Sequence, residues 1–132
     1  MNIFKAMTKR RSLGNRGEKA ACRYLKARGY KILKRNFVAE DGEIDIIAES
    51  RSAIVFVEVK TRTVESTEEL ENITPSIAVN HAKRTRTLNA ARAYLRLYPT
   101  KKQPRIDVIE VWLNVNSLKT EKINHIENAF GA

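Results

Sequence analysis

Residues 42–62, GEIDIIAESRSAIVFVEVKTR, hold a period of two twice over, which restricts the stretch to a pair of strands. From Glu43 to Ala48, alternation puts Ile44, Ile46 and Ala48 on one face and Glu43, Asp45 and Ile47 on the other. From Ala53 to Lys60, Val55, Val57 and Val59 share a face, opposite Ile54, Phe56, Glu58 and Lys60. Glu49–Ser52 supplies the polar turn of a hairpin. Pairing Asp45 with Phe56 or with Glu58 gathers Glu43, Asp45, Glu58 and Lys60 on one face. A one-residue slip sets the carboxylates against Val57 or Val59, and the apolar pattern disfavours it.

Such a patch is costly as it stands. Two like charges ~5 Å apart at an effective dielectric of ~20 repel by roughly 3 kcal/mol. Lys60 offsets part of this, and a divalent cation would offset more. Carboxylate oxygens on rigid backbone, partly open to water, suit Mg2+ or Mn2+. The alternative is a solvated strand face with ordinary cross-strand ion pairs.

At 132 residues the chain fits one domain with one core. Cys22 is its one cysteine, so it has no intramolecular disulfide. With only His81 and His125 besides, no zinc site of the usual Cys/His kind can be assembled. No apolar run approaches the ~18 residues of a membrane span. No secretory apolar region follows the basic N-terminus, so a cytoplasmic location and no membrane partner are expected. The net charge of +10 is unevenly spread. Residues 1–36 carry twelve Lys or Arg and the single acid Glu18. Residues 40–71 carry ten acids against Arg51, Lys60 and Arg62, and residues 83–105 carry eight basic residues and no acid. Basic flanks around an acidic centre suit a polyanion gripped at its edges with metal in the middle, rather than charge serving solubility alone.

Along the chain, Met1–Arg11 reads as a loose basic arm that contacts phosphates without reading sequence. Residues 1–12 are set apart from a domain at 13–132. Ser12 is a candidate N-cap and Gly29 a candidate C′ residue of a first helix. Glu18 sits on or beside that helix's inward face. It either pairs with Arg16 or helps cap the helix start, or it points at the carboxylate patch. Tyr30–Asn36 reads as a short strand toward an edge. Phe37–Asp41 leads to a turn or bulge at Gly42. Thr61–Thr74 reads as a polar loop. Asn72–Thr74 matches a glycosylation sequon that a cytoplasmic chain makes irrelevant. Thr74-Pro75 opens a second helix whose stripe is Ile77, His81, Arg84, Leu88, Ala91, Leu95 and Tyr98. His81 is expected to be packed rather than a general base. Arg105–Val115 reads as a central strand, with Asp107 in an ion pair with Arg105, Lys83 or Arg84. Ile123–Phe130 reads as a last short strand. The order α-β-β-β-α-β-(β) predicts an α/β domain, one sheet with helices packed on it.

Asp45 followed by Glu58-Val59-Lys60 resembles the D-x(n)-E-x-K core of the restriction-endonuclease-like, PD-(D/E)XK nuclease superfamily. From Gly14 to about Phe130 the chain is similar to the YraN-like family of bacterial proteins. That likeness rests on G-x-x-G-E-x-x-A-x-x-Y-L from Gly14 to Leu25, Gly29-Tyr30, Arg35-Asn36, Gly42–Ile47, Phe56–Arg62, Lys83 and Arg105–Ile109. Ile44 stands where the superfamily's nominal proline would be.

The resemblance implies a restriction-endonuclease-like mixed β-sheet flanked by helices. It also implies Mg2+ or Mn2+ held by Asp45, Glu58 and the Val59 carbonyl, with Glu18 as a further ligand. Lys60 would orient the attacking water, Glu43 and Arg62 would support the site, and Lys83 would contact phosphate. Arg16, Lys19 and Arg62 are further candidates for nucleic-acid contact. The activity implied is hydrolysis of DNA phosphodiester bonds, in branched or damaged DNA by analogy with archaeal Holliday-junction resolvases. Those resolvases act as dimers, which makes a homodimer the assembly the resemblance allows. The competing expectation is a non-catalytic nucleic-acid-binding accessory protein with a weak or relic metal site.

Overall fold

Strand alternation sorts the apolar side chains into two clusters, one on each face of a single sheet, and a helix covers each. In the computed structural model, residues 3–71 and 81–129 are described. The elements are α1 (Ile3–Ala27), β1 (Lys31–Ala39), β2 (Gly42–Glu49), β3 (Ala53–Val64), a short α2 (Thr67–Glu71), α3 (His81–Leu97), β4 (Gln103–Asn114) and β5 (Thr120–Ile126). The sheet order is β1-β2-β3-β4-β5. Only β3 and β4 run parallel; the other three pairings are antiparallel. A parallel pair needs a long crossover, and α3 lies within it. On one face Ala21, Cys22 and Leu25 of α1 pack on Ile46, Val55, Val57 and Ile109. On the other, Ala90, Ala91 and Tyr94 of α3 pack on Phe37, Ile47, Phe56 and Val108. The expected α/β sheet flanked by helices is the architecture observed.

Several local expectations need correction. Residues 3–12 are helical, because α1 begins at Ile3, and Ser12 lies well inside it rather than at its N-cap. No glycine or proline interrupts residues 3–13, and Lys, Arg, Met and Ala there are good helix formers. Residues 61–71 are not a loop: β3 runs on to Val64, held by β4 as far as Val64↔Asn114, and α2 follows. The buried side of α3 is Thr87, Ala90, Ala91 and Tyr94, so Arg84 and Tyr98 of the expected stripe are exposed. Small Ala90 and Ala91 admit close approach, and the Tyr94 ring meets Phe37 and Phe56 edge-on at 5.4 and 5.9 Å. The Thr74-Pro75 cap, Ile77 and the 72–74 sequon lie outside the described residues, as do the side chains of His81 and Lys83.

Gly29 closes α1 as expected. It adopts φ 90°, and Tyr30 N–H donates to the Leu25 carbonyl and Gly29 N–H to that of Lys26. Cys22 is buried in the core, where burial pushes its thiol pKa up.

Asp107, with no exposed surface, ties β4 to its neighbours. It accepts two hydrogen bonds from Arg105 at 2.9 Å, one from Asn128 N–H at 2.9 Å, and lies 2.7 Å from His125 Nε2. Burial alone would raise this carboxyl's pKa; the hydrogen bonds from His125, Arg105 and Asn128 outweigh it and hold it below the usual value.

Gly42 is a start of strand rather than a turn. A Cβ there would run into the Arg86 backbone of α3, carbonyl oxygen and carbon alike. Backbone cannot swing aside as a side chain can. Gly42→Ala is therefore expected to push α3 off the sheet and destabilise the protein by about 1–3 kcal/mol, read from urea unfolding. An unchanged midpoint would show that the two backbones are not in that contact.

Candidate active site

The hairpin register brings Asp45 to Glu58 at a point where the two strands part. The β2–β3 ladder runs from Glu49↔Ile54 to Ile46↔Val57, and the same register sets Asp45 opposite Glu58. Beyond that pair the backbones separate. Beside the fork, in β1, Asn36, between the Arg35↔Ile46 and Phe37↔Ile44 pairs, has φ 52°. Asparagine tolerates that left-handed conformation better than most residues. At the same level the alternation in β2 changes sides: Ile44 packs on the α3 side while Ile46 packs under α1. The expectation that Ile44, Ile46 and Ala48 share a face is corrected accordingly. In the gap the Asp45 carboxylate takes over from the strand backbone: Val59 N–H donates to its Oδ2 at 2.8 Å.

Three further carboxylates bear on Asp45. Burial, then the charges of Glu18, Glu58 and Glu43, raise its pKa to about 6, against the opposing hydrogen bond from Val59. Glu18 reaches the fork because α1 lies close on β3. A Cβ on Gly17 would overlap the Thr61 side chain, so glycine at this position lets the helix sit that near. Glu18 does not pair with Arg16, as one reading had it, but with Arg35 of β1, 3.6 Å from Oε1. That oxygen is buried and makes no hydrogen bond. The Lys60 ammonium lies 3.8 Å from Glu58 Oε1.

Arg62 Nε contacts the buried carboxylate of Glu110 at 3.4 Å, and Asn124 donates to the other Glu110 oxygen at 3.0 Å. Arg16 and Lys19 do not join the fork; they line a separate groove beside the β4–β5 turn.

The fork opens into a cleft of about 960 Å³. Its walls include Glu43, Asp45 and Glu58 on one side and Arg86, Thr87 and Asn89 of α3 on the other. The expected stripe was right at Leu88, Ala91 and Leu95, which pack on the sheet side, but it left out Arg86, Thr87 and Asn89. Arg35-Asn36 was singled out only as part of the family likeness; that Arg35 pairs with Glu18 was not read.

The donor set fits a hard divalent cation. It consists of carboxylate oxygens only, and burial first, with the repulsion among its charges adding to it, holds the Asp45 pKa up. Among the described residues no three acids, histidines or cysteines are grouped closely enough to hold a metal ion together. Mg2+ does not need such a group, since it commonly binds through one or two carboxylates and keeps several waters.

These features define an α/β domain with an acidic cleft where two central strands diverge. The chain belongs to the UPF0102 family: residues 17–111 match the Uncharacterised protein family UPF0102. A UPF0102 protein of Caldanaerobacter subterraneus subsp. tengcongensis is 46% identical over 92% of this chain and 96% of its own length. Those of Clostridioides difficile and Myxococcus xanthus are 40% and 36% identical, covering 89% and 96% of this chain and 95% of each relative. No helix of the described residues is long and apolar enough to cross a membrane.

Proposed function

We propose that this protein hydrolyses phosphodiester bonds in DNA with the help of Mg2+ or Mn2+. The observation that carries the reading is Asp45, held by Val59 N–H at a strand fork and crowded by Glu18, Glu58 and Glu43. Asp45 and Glu58 would hold the ion, with Glu18 completing or supporting the set. The ion supplies charge to polarise the scissile phosphate. Lys60, anchored beside Glu58, orients the attacking water and stabilises the charge that builds on the phosphoryl oxygens. Arg62, with its Nε at Glu110 and its side chain exposed, would offer the guanidinium to a phosphate. The basic stretches around the cleft supply the salt-sensitive grip on the polyanion.

The test is incubation with junction, flap, duplex and single-stranded DNA, with Mg2+, Mn2+ or a chelator. Metal-dependent cleavage of at least one of these is expected. Its absence from all would favour the second reading, a nucleic-acid-binding accessory protein, to which the lack of three such residues grouped closely enough to hold a metal ion, among the described residues, already gives some support.

A further inference from the structure

A second groove, of about 830 Å³, lies between α1 and the turn joining β4 to β5. Arg11, Arg16, Lys19 and Arg23 line it from the helix and Lys119 from the turn, and no acid lines it. All five side chains are exposed. None makes an ion pair among the described residues, where the salt bridges fall on other cations. Asn15 and Ser117 add neutral hydrogen-bonding groups, and Leu113 contributes apolar surface.

The turn that forms the second wall is firmly built. Asn114 Oδ1 accepts from Asn116 and Ser117 N–H at 2.9 and 3.0 Å, and Leu118 N–H donates to the Asn114 carbonyl at 2.8 Å. Leu118 takes φ 60°. Unlike charges strung along a lone helix, these cations face a wall that defines a channel.

We propose that this groove binds the phosphate backbone of a nucleic-acid segment separate from the one in the acidic cleft. The proposal shares its ligand class with the proposed function and rests on that much of it. Arg16 to Arg23 spans ~10 Å at 1.5 Å per residue. At ~3.4 Å rise per nucleotide of one B-form strand, that is roughly three phosphates for the three cations of that stripe. On a helix turning roughly 100° per residue, Glu18 points about 130° away from the Arg16–Lys19–Arg23 stripe. The groove and the cleft share no lining residue, so a segment in one is separate from a segment in the other. The concave walls admit a single backbone and not a flat bilayer, which sets nucleic acid ahead of an anionic membrane.

The experiment measures binding of the full chain to a duplex oligonucleotide across a salt series, in chelator, so that no cleavage is needed. The triple variant Arg16→Gln, Lys19→Gln, Arg23→Gln is compared with a control, Lys31→Gln, Arg51→Gln, Lys101→Gln. The control removes the same charge from exposed positions at the opposite end of the sheet. Circular dichroism checks that both variants fold. The groove variant is expected to lose at least tenfold in affinity, with a salt slope shallower by roughly 2–3. Equal losses in both variants, an unchanged slope in the groove variant, or tighter wild-type binding to anionic vesicles than to duplex would overturn the proposal. Failure of hydrolysis elsewhere leaves this measurement untouched.

Discussion

Asp45→Asn is expected to make the metal-free protein more stable at pH 7.5 while abolishing its DNA cleavage. A carboxyl whose folded pKa is about 6 and whose unfolded pKa is near 3.8 ionises at a loss in the folded state. The unfolded chain gives up its proton first as pH rises, so stability falls between about pH 4 and pH 6. Above that window the gap between the folded and unfolded pKa corresponds to about 3 kcal/mol. Asparagine removes the charge and keeps an oxygen to accept from Val59 N–H. The variant should therefore gain about 1–3 kcal/mol at pH 7.5. Acidification from pH 7.5 to pH 5 should stabilise the wild type by about 1.4 kcal/mol and the variant hardly at all. The depressed pKa of Asp107 acts with the opposite sign, but its effect comes in below the ordinary carboxylate pKa and outside this range. Added Mg2+ should raise the melting temperature of the wild type and not of the variant. Identical pH responses in the two proteins would mean that Asp45 is not crowded by its neighbours.

Lys60→Ala is expected to lower the cleavage rate by about 10²–10⁴-fold while DNA affinity in chelator changes only a few-fold. The ammonium beside Glu58 acts on charge that appears during reaction, so its loss should fall on turnover rather than on binding. Mg2+ should still stabilise this variant, because both Asp45 and Glu58 remain. Cleavage that persists at the wild-type rate would remove Lys60 from the chemistry. A simultaneous loss of the Mg2+ response would recast it as a scaffold for Glu58.

What the sequence made legible follows from how local each determinant is. The hairpin register was readable because period-two patterning and a polar turn fix it within a few residues, and Glu49↔Ile54 through Ile46↔Val57 obey it. Gly29 was readable because a left-handed helix stop favours glycine. The fork itself was not, since alternation within β2 gives no hint that Ile44 will change sides. The α3 face was legible in part: Leu88, Ala91 and Leu95 pack on the sheet side as helical spacing implies, while Arg84 and Tyr98 fall outside it. Glu18 was placed on the inward side, but its partner Arg35 sits on β1, beyond the reach of helical spacing.

The contact of Gly42 with the main chain at Arg86 works as a fixed gauge for the cleft mouth. Exchanging Arg86 or Asn89 can change the chemistry of the rim, but the aperture is set by polypeptide resting on polypeptide. Substrate preference in such a molecule can be retuned at its edges while the calibre of what passes between them stays the same.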